Sequence, residues 1–169
     1  WQPDGDEWPL EAILAEVARF SPTRHVVVTG GEPMVAKGMP ELLAALRAAG
    51  KHVTIETAAT ISPGGVACDL ASLSPKLANS TPAAVRAGSW AERHESTRRQ
   101  PAVIREWLAA YECQLKFVVG SPADIAEIDA LLADVGVPVS PERILLMPEG
   151  TDAATLRERA AWVVELCKQ

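Results

Sequence analysis

A chain of 169 residues with 48% apolar side chains is long enough to bury one core of ordinary size. Its 16 Lys and Arg against 22 Asp and Glu leave a net charge of -6, which excludes the basic field that a nucleic-acid surface or an anionic membrane requires. The longest apolar runs, such as Val26 to Val28 and Ile144 to Met147, fall far short of the roughly 20 residues of a membrane span.

The first element is a helix whose apolar side chains Leu10, Ile13, Leu14 and Val17 recur in steps of three and four. A β-branched strand, His25 to Thr29, follows and breaks into Gly30-Gly31-Glu32-Pro33. Paired glycines and an acid at a strand tip mark a place where backbone meets a ligand, or, read plainly, a turn that needs positive φ. Met39, Leu42, Leu43 and Leu46 make the next helix, and His52 to Thr57 the next strand. Ala58 to Val66, with Ser62-Pro63-Gly64-Gly65, reads as a loop where a helix is due.

Ala67 to Leu73 is the third strand, closed by Ser74-Pro75-Lys76. Residues 78–99 are irregular and end in a basic cluster of Arg93, His94, Arg98 and Arg99; they read as an insertion between strands, most simply a solvated face, with a dimer contact or a lid as the functional alternative. Helical pattern resumes at Pro101, and Gln114 to Val119 is the fourth strand. Lys116 is unusual there, because an ammonium among Leu115, Phe117, Val118 and Val119 needs a partner or a cavity. Its plain reading is an ion pair with a helix carboxylate such as Glu112 or Glu127. Gln114, two positions away, faces the same side. Ile125, Ile128, Leu131, Leu132 and Val135 form a helix, Arg143 to Met147 a fifth strand ending in Pro148-Glu149-Gly150, and Leu156, Ala160, Val163 and Cys167 a last helix.

Alternating strands and helices predict an α/β fold, a mostly parallel sheet with outer helices, in one domain over 1–169 with no internal repeat. Ligand chemistry then belongs at the carboxyl ends of the strands. Cys68, Cys113 and Cys167 are too widely spaced for a metal motif and read as small buried apolar side chains, their odd number and the lack of a secretory signal fitting a reducing cytoplasm.

Taken together and in order, Thr29-Gly30-Gly31-Glu32-Pro33, Ile55-Glu56-Thr57, Ser72-Leu73-Ser74-Pro75-Lys76, Gln114-Leu115-Lys116-Phe117 and Leu146-Met147-Pro148-Glu149-Gly150 resemble the radical S-adenosylmethionine enzymes, and most closely the 7-carboxy-7-deazaguanine synthases of queuosine and 7-deazapurine biosynthesis. The resemblance implies a partial TIM-like βα barrel. It also implies that Gly30, Gly31, Glu32, Ser74, Lys76, Met147 and Pro148 contact S-adenosylmethionine, and that Thr29, Glu56, Gln114 and Lys116 contact the substrate, 6-carboxy-5,6,7,8-tetrahydropterin. The implied reaction is a radical ring contraction with loss of ammonia, a carbon–nitrogen lyase activity. The family's further needs are a 4Fe-4S cluster, Mg2+, a reductant protein such as flavodoxin, and a homodimer.

No cysteine triplet for the cluster and no magnesium-ligating threonine stand in this sequence at the family's positions, so their ligands are expected outside it. The preferred expectation is therefore an internal piece of a longer protein, itself inactive. A homologue that binds the cofactor without a cluster, and a glycyl-radical activase, which shares Gly-Gly-Glu-Pro, are the alternatives.

Overall fold

A computed structural model of the chain describes residues 5–83 and 88–168. Five strands, β1 (His25–Val28), β2 (His52–Thr57), β3 (Leu70–Leu73), β4 (Cys113–Val119) and β5 (Ile144–Pro148), pair in parallel in the order β1-β2-β3-β4-β5. Each strand lies beside its predecessor, with no reversal of order. Right-handed crossovers that always step the same way leave every connecting helix on one face, which is how a barrel is built rather than a doubly wound sheet. Among the described residues the sheet is not closed, so the molecule is a barrel segment.

The helices are α1 (Leu10–Arg19), α2 (Met39–Ala48), α3 (Ser89–Thr97), α4 (Pro101–Ala110), α5 (Asp124–Val135) and α6 (Ala153–Leu166). On the sheet's outer face Val53, Ile55, Ala71, Leu73, Cys113, Leu115, Phe117 and Val119 are buried, and they form one core with Leu43 and Leu46 of α2, Ile104 and Trp107 of α4, and Ile128, Leu131 and Val135 of α5. From Val53 to the end of β2, and along the whole of β4, side chains alternate between buried and half-buried, the period of two that a sheet covered on one side imposes. The outer helices that the alternating pattern predicts are present, and they cover one face of the sheet.

The Ala58–Asp69 connection carries no helix. Trp107, fully buried, donates from its indole nitrogen to the Ile61 carbonyl at 2.9 Å, and Tyr111 donates from its hydroxyl to the Val66 carbonyl at 2.9 Å. A loop with buried Ala59, Val66 and Cys68 is thereby tied to α4, and two of its backbone carbonyls are satisfied. Cys113 is buried likewise, while Cys167, expected to be buried, is exposed after the last turn of α6.

Helix α3 runs through the stretch that reads as irregular in sequence. It buries only Ala91, so it shows no apolar stripe, and polar bonds hold it in place. Ser80 Oγ lies 3.0 Å from His94 Nε2, Thr81 bonds Glu95, and the Arg93 guanidinium sits 5.1 Å from the centre of the half-exposed Trp90 ring. Arg98 and Arg99, expected on a solvated face, instead pair with Glu127 and Asp134 of α5. No helix among the described residues is long and apolar enough to cross a membrane.

Candidate functional site

The uncovered face of the sheet carries the polar residues. By strand register, Val27 stands beside Thr54, Glu56 beside Ser72, Ser72 beside Gln114, Lys116 beside Leu145 and Val118 beside Met147. Neighbours in register share a face, so Glu56, Gln114 and Lys116 lie together with the exposed apolar side chains Val27, Leu145 and Met147. Lys116 Nζ pairs with Glu56 Oε1 across the intervening strand β3. The small Ser72 on β3 leaves room beneath them, and its Oγ accepts from Gln114 Nε2 at 3.0 Å. The helix carboxylates offered as plain partners for Lys116 are taken elsewhere, Glu112 by Arg143 at 2.7 Å and Glu127 by Arg98 at 2.5 Å. Three predicted substrate contacts, Glu56, Gln114 and Lys116, thus come together on one open surface. The fourth, Thr29, follows β1 at its carboxyl end and is exposed.

Four of the predicted cofactor contacts sit at strand tips. Gly30 and Gly31 follow β1, and Ser74 and Lys76 follow β3. Gly30 has φ of +157°, a region few side-chain-bearing residues adopt. Gly31 is more informative, because its φ is ordinary and a Cβ placed on it meets no heavy atom within 4 Å. Neither conformation nor internal packing demands glycine there, and the bare backbone stands open at the strand tip. Ser74 is buried, and its N–H donates to the Thr57 carbonyl at 2.7 Å, joining the tips of β3 and β2. Lys76 is half-buried and forms no ion pair among the described residues. Met147, 45% exposed, and Pro148 give β5 an apolar tip.

Glu32 behaves differently from the other predicted contacts. Its carboxylate accepts from Thr57 Oγ1 at 2.7 and 2.9 Å, from the Ala58 N–H at 2.9 Å and from the Met34 N–H at 3.1 Å. Those bonds fill most of the acceptor capacity of an ionised carboxylate, so the side chain shapes the turn, and the backbone of Gly30 and Gly31 is what faces outward. Nothing in the sequence around Glu32 signals this, because Thr57 lies 25 residues away.

Charged side chains fix the other strand tips in the same manner. Asp124 accepts from the N–H groups of Gly120 at 2.7 Å and Ser121 at 3.0 Å after β4, and from Asn79 Nδ2 at 3.0 Å. Arg159 of α6 donates to the Glu149 carbonyl and carboxylate after β5, each at 2.7 Å. Sequence reasoning missed Asn79, Asp124 and Arg159. Helix position alone marks one of them, since Asp124 opens α5 and Asp or Glu belongs in a first helical turn.

Two cavities lie away from this rim. One of about 340 Å³ is lined by Leu108, Tyr111, Cys113, Val139 and Arg143, among others, and one of about 330 Å³ by Val17, Phe20, His25 and Lys51 among others. Both sit by the amino ends of strands, where Cys113, His25 and Arg143 stand. Burial pushes the Cys68 thiol up to about 11 and the Cys113 thiol up to about 12, so both stay protonated and apolar.

No family profile matches the chain. Individual relatives do. The 7-carboxy-7-deazaguanine synthase of Halobacterium salinarum is 40% identical over 177 residues, covering 100% of this chain and 68% of its own length. The protein of the same name from Rhodopirellula baltica is 40% identical over 164 residues, covering 96% and 62%, and that from Pyrobaculum aerophilum 34% identical over 149 residues, covering 85% and 58%. The chain therefore spans about three fifths to two thirds of the curated relatives it matches. Among solved structures, QueE from Escherichia coli superposes with a TM-score of 0.59 at 26% identity over 93% of this chain and 60% of that one. SuiB from Streptococcus suis, crystallised with its precursor peptide SuiA, superposes with a TM-score of 0.63 at 16% identity over 98% and 41%, a likeness of fold. With 40% identity sustained from one end to the other against a relative of which it covers 68%, the chain belongs to the 7-carboxy-7-deazaguanine synthase family.

Proposed function

We propose that this chain forms the S-adenosylmethionine- and substrate-binding face of a 7-carboxy-7-deazaguanine synthase, a radical enzyme that contracts the ring of 6-carboxy-5,6,7,8-tetrahydropterin with loss of ammonia. The observation that carries the reading is the cluster of Glu56, Ser72, Gln114 and Lys116 on the open sheet face, beside strand tips whose glycines no internal contact requires.

That face matches the substrate's chemistry. A pterin presents adjacent N–H donors on its aminopyrimidinone edge, a ring carbonyl acceptor and, in this case, a carboxylate. Glu56 would accept from the donor edge, and its ion pair with Lys116 fixes where that carboxylate stands. Lys116 spends one of its three donors on Glu56 and keeps others for the substrate carboxylate. Gln114, its amide anchored on Ser72, would present its carbonyl at fixed orientation, and Thr29 a hydroxyl from the β1 tip.

The strand tips fit S-adenosylmethionine. The backbone of Gly30 and Gly31 would receive its methionine end, Ser74 and Lys76 its ribose and carboxylate, and Met147 with Pro148 the adenine ring. Glu32 serves that site by holding the turn. When bound to a reduced iron–sulfur cluster this cofactor supplies a carbon-centred radical able to take hydrogen from an unactivated carbon. The protein's share is to place the pterin's reacting carbon and to keep water from it, and a face half-buried in polar groups and edged by Val27, Leu145 and Met147 is suited to both.

The cysteines here do not fit the cluster: Cys68 and Cys113 are buried with neutral thiols, and Cys167 stands exposed just past the end of the last helix. Nor do the described residues gather three His, Cys, Asp or Glu side chains that would take Mg2+. Cluster, Mg2+, the homodimer, a flavodoxin-like reductant and a cytoplasmic location remain part of the proposal on the family relationship.

The test is turnover. The full product of the gene, reconstituted anaerobically with iron and sulfide, is incubated with reductant, S-adenosylmethionine and the carboxypterin. Formation of 7-carboxy-7-deazaguanine and ammonia in equal amounts is expected. Cofactor cleavage that never consumes the pterin would contradict the assignment.

A further inference from the structure

We infer that Arg98 and Glu127 are positioning residues for the cofactor site, a two-armed clamp that sets the backbone carrying Lys76; the inference rests on the cofactor reading of Lys76 given above. Arg98 Nη1 donates to the Lys76 carbonyl at 3.1 Å and to Glu127 Oε1 at 2.5 Å. The other Glu127 oxygen accepts from the Ala78 N–H at 2.9 Å. One ion pair therefore grips the backbone on both sides of Leu77, whose own side chain is buried in the core. The gripped segment continues directly from Ser74-Pro75-Lys76, and Lys76 has no ion-pair partner of its own among the described residues.

The two arms come from different elements, Arg98 from the end of α3 and Glu127 from the first turn of α5. Glu95 supports the guanidinium from behind through Arg98 Nε at 2.8 Å. With only 12% of its side chain exposed, Arg98 is partly desolvated, and an arginine forces a fixed fork geometry that a lysine cannot reproduce. The segment 78–99 thus has work to do at the cofactor site: it supplies the arginine that holds the β3 tip. This role differs from a surface ion pair, which would leave the ligand untouched. Arg99 offers an internal comparison, since it pairs with Asp134 and the Ala130 carbonyl on the same helix and touches no strand tip.

A double-mutant cycle on S-adenosylmethionine affinity separates positioning from general structure. Calorimetry with the full-length, cluster-loaded protein is run on the parent, Arg98→Ala, Lys76→Ala, the double variant and Arg99→Ala. Arg98→Ala is expected to weaken cofactor binding about tenfold, the size of one lost hydrogen bond to a charged group. In the Lys76→Ala background the same change is expected to cost little, because the two act in series. Arg99→Ala is expected to bind like the parent. Glu127→Gln, which keeps an acceptor for Ala78 and weakens the hold on Arg98, repeats the cycle if Arg98→Ala fails to fold. Affinity unchanged by Arg98→Ala, or a loss equally large with and without Lys76, overturns the clamp while leaving the enzyme assignment standing. A parent protein that does not bind S-adenosylmethionine overturns the assignment, and the clamp with it.

Discussion

Glu32 and Thr57 are joined by one shared hydrogen bond, the single Thr57 hydroxyl lying 2.7 and 2.9 Å from the two carboxylate oxygens, so the glycine turn after β1 is fastened to the tip of β2. Thr57 is 2% exposed, and its hydroxyl also accepts from the N–H of Ala59, a residue at φ +54°. A single buried hydroxyl therefore holds the glycine turn and a strained loop residue at once.

Thr57→Val keeps the volume and removes both bonds. The loss of a buried, fully used hydroxyl is expected to cost about 1–3 kcal/mol. Urea denaturation with an unchanged slope and a lower midpoint is the expected result, together with weaker cofactor binding. Unchanged stability would show that Glu32 is not what holds the turn.

The cysteines divide by environment. With thiols raised to about 11 and 12, Cys68 and Cys113 keep roughly one part in a thousand or less as thiolate at pH 8, and both are buried besides. A maleimide followed by peptide mapping is expected to mark Cys167 in the native protein and all three after denaturation. Rapid native labelling of Cys113 would contradict the packing of β4 against α4.

Helix α6 begins at Asp152, whose carboxylate accepts from the Thr155 and Ala154 N–H groups, each at 3.0 Å, and from the Thr155 hydroxyl at 2.7 Å. The Thr155 bonds chiefly hold its pKa below the ordinary 3.8. A carboxylate depressed in the folded state stabilises it above the unfolded value, and that contribution fades as the pH falls through the lower folded one. Asp152→Ala is expected to lower the melting midpoint at pH 7, and the gap from the parent is expected to close below about pH 4. A gap of constant size down to pH 2 would contradict the cap.

Most of the fold is legible in the sequence, and for a physical reason. Strands such as His52–Thr57 match their expected bounds because β-branched runs ending in Gly, Ser-Pro or Pro-Glu-Gly punctuate themselves. Helix α3 escapes because its stability lies in tertiary polar bonds from Arg98, Glu95 and His94, which leave no periodic apolar trace. The site is legible at Gln114 and Lys116, where spacing on one strand places two polar groups on one face. It is illegible at Glu32, Arg98 and Arg159, whose roles depend on partners 25, 22 and 10 residues away.

The central claim is that the open sheet face around Lys116 and Glu56 binds the carboxypterin. Calorimetric titration of 6-carboxy-5,6,7,8-tetrahydropterin into the full-length protein with S-adenosylmethionine present tests it most directly, comparing the parent with Lys116→Ala and with Arg143→Ala, which breaks a pair near the amino ends of the strands. The expected result is pterin binding that weakens at least about tenfold in Lys116→Ala, as loss of a charge-assisted contact requires, and stays unchanged in Arg143→Ala. A protein that does not bind the pterin, or a Lys116→Ala variant that binds it as tightly as the parent, would contradict the account.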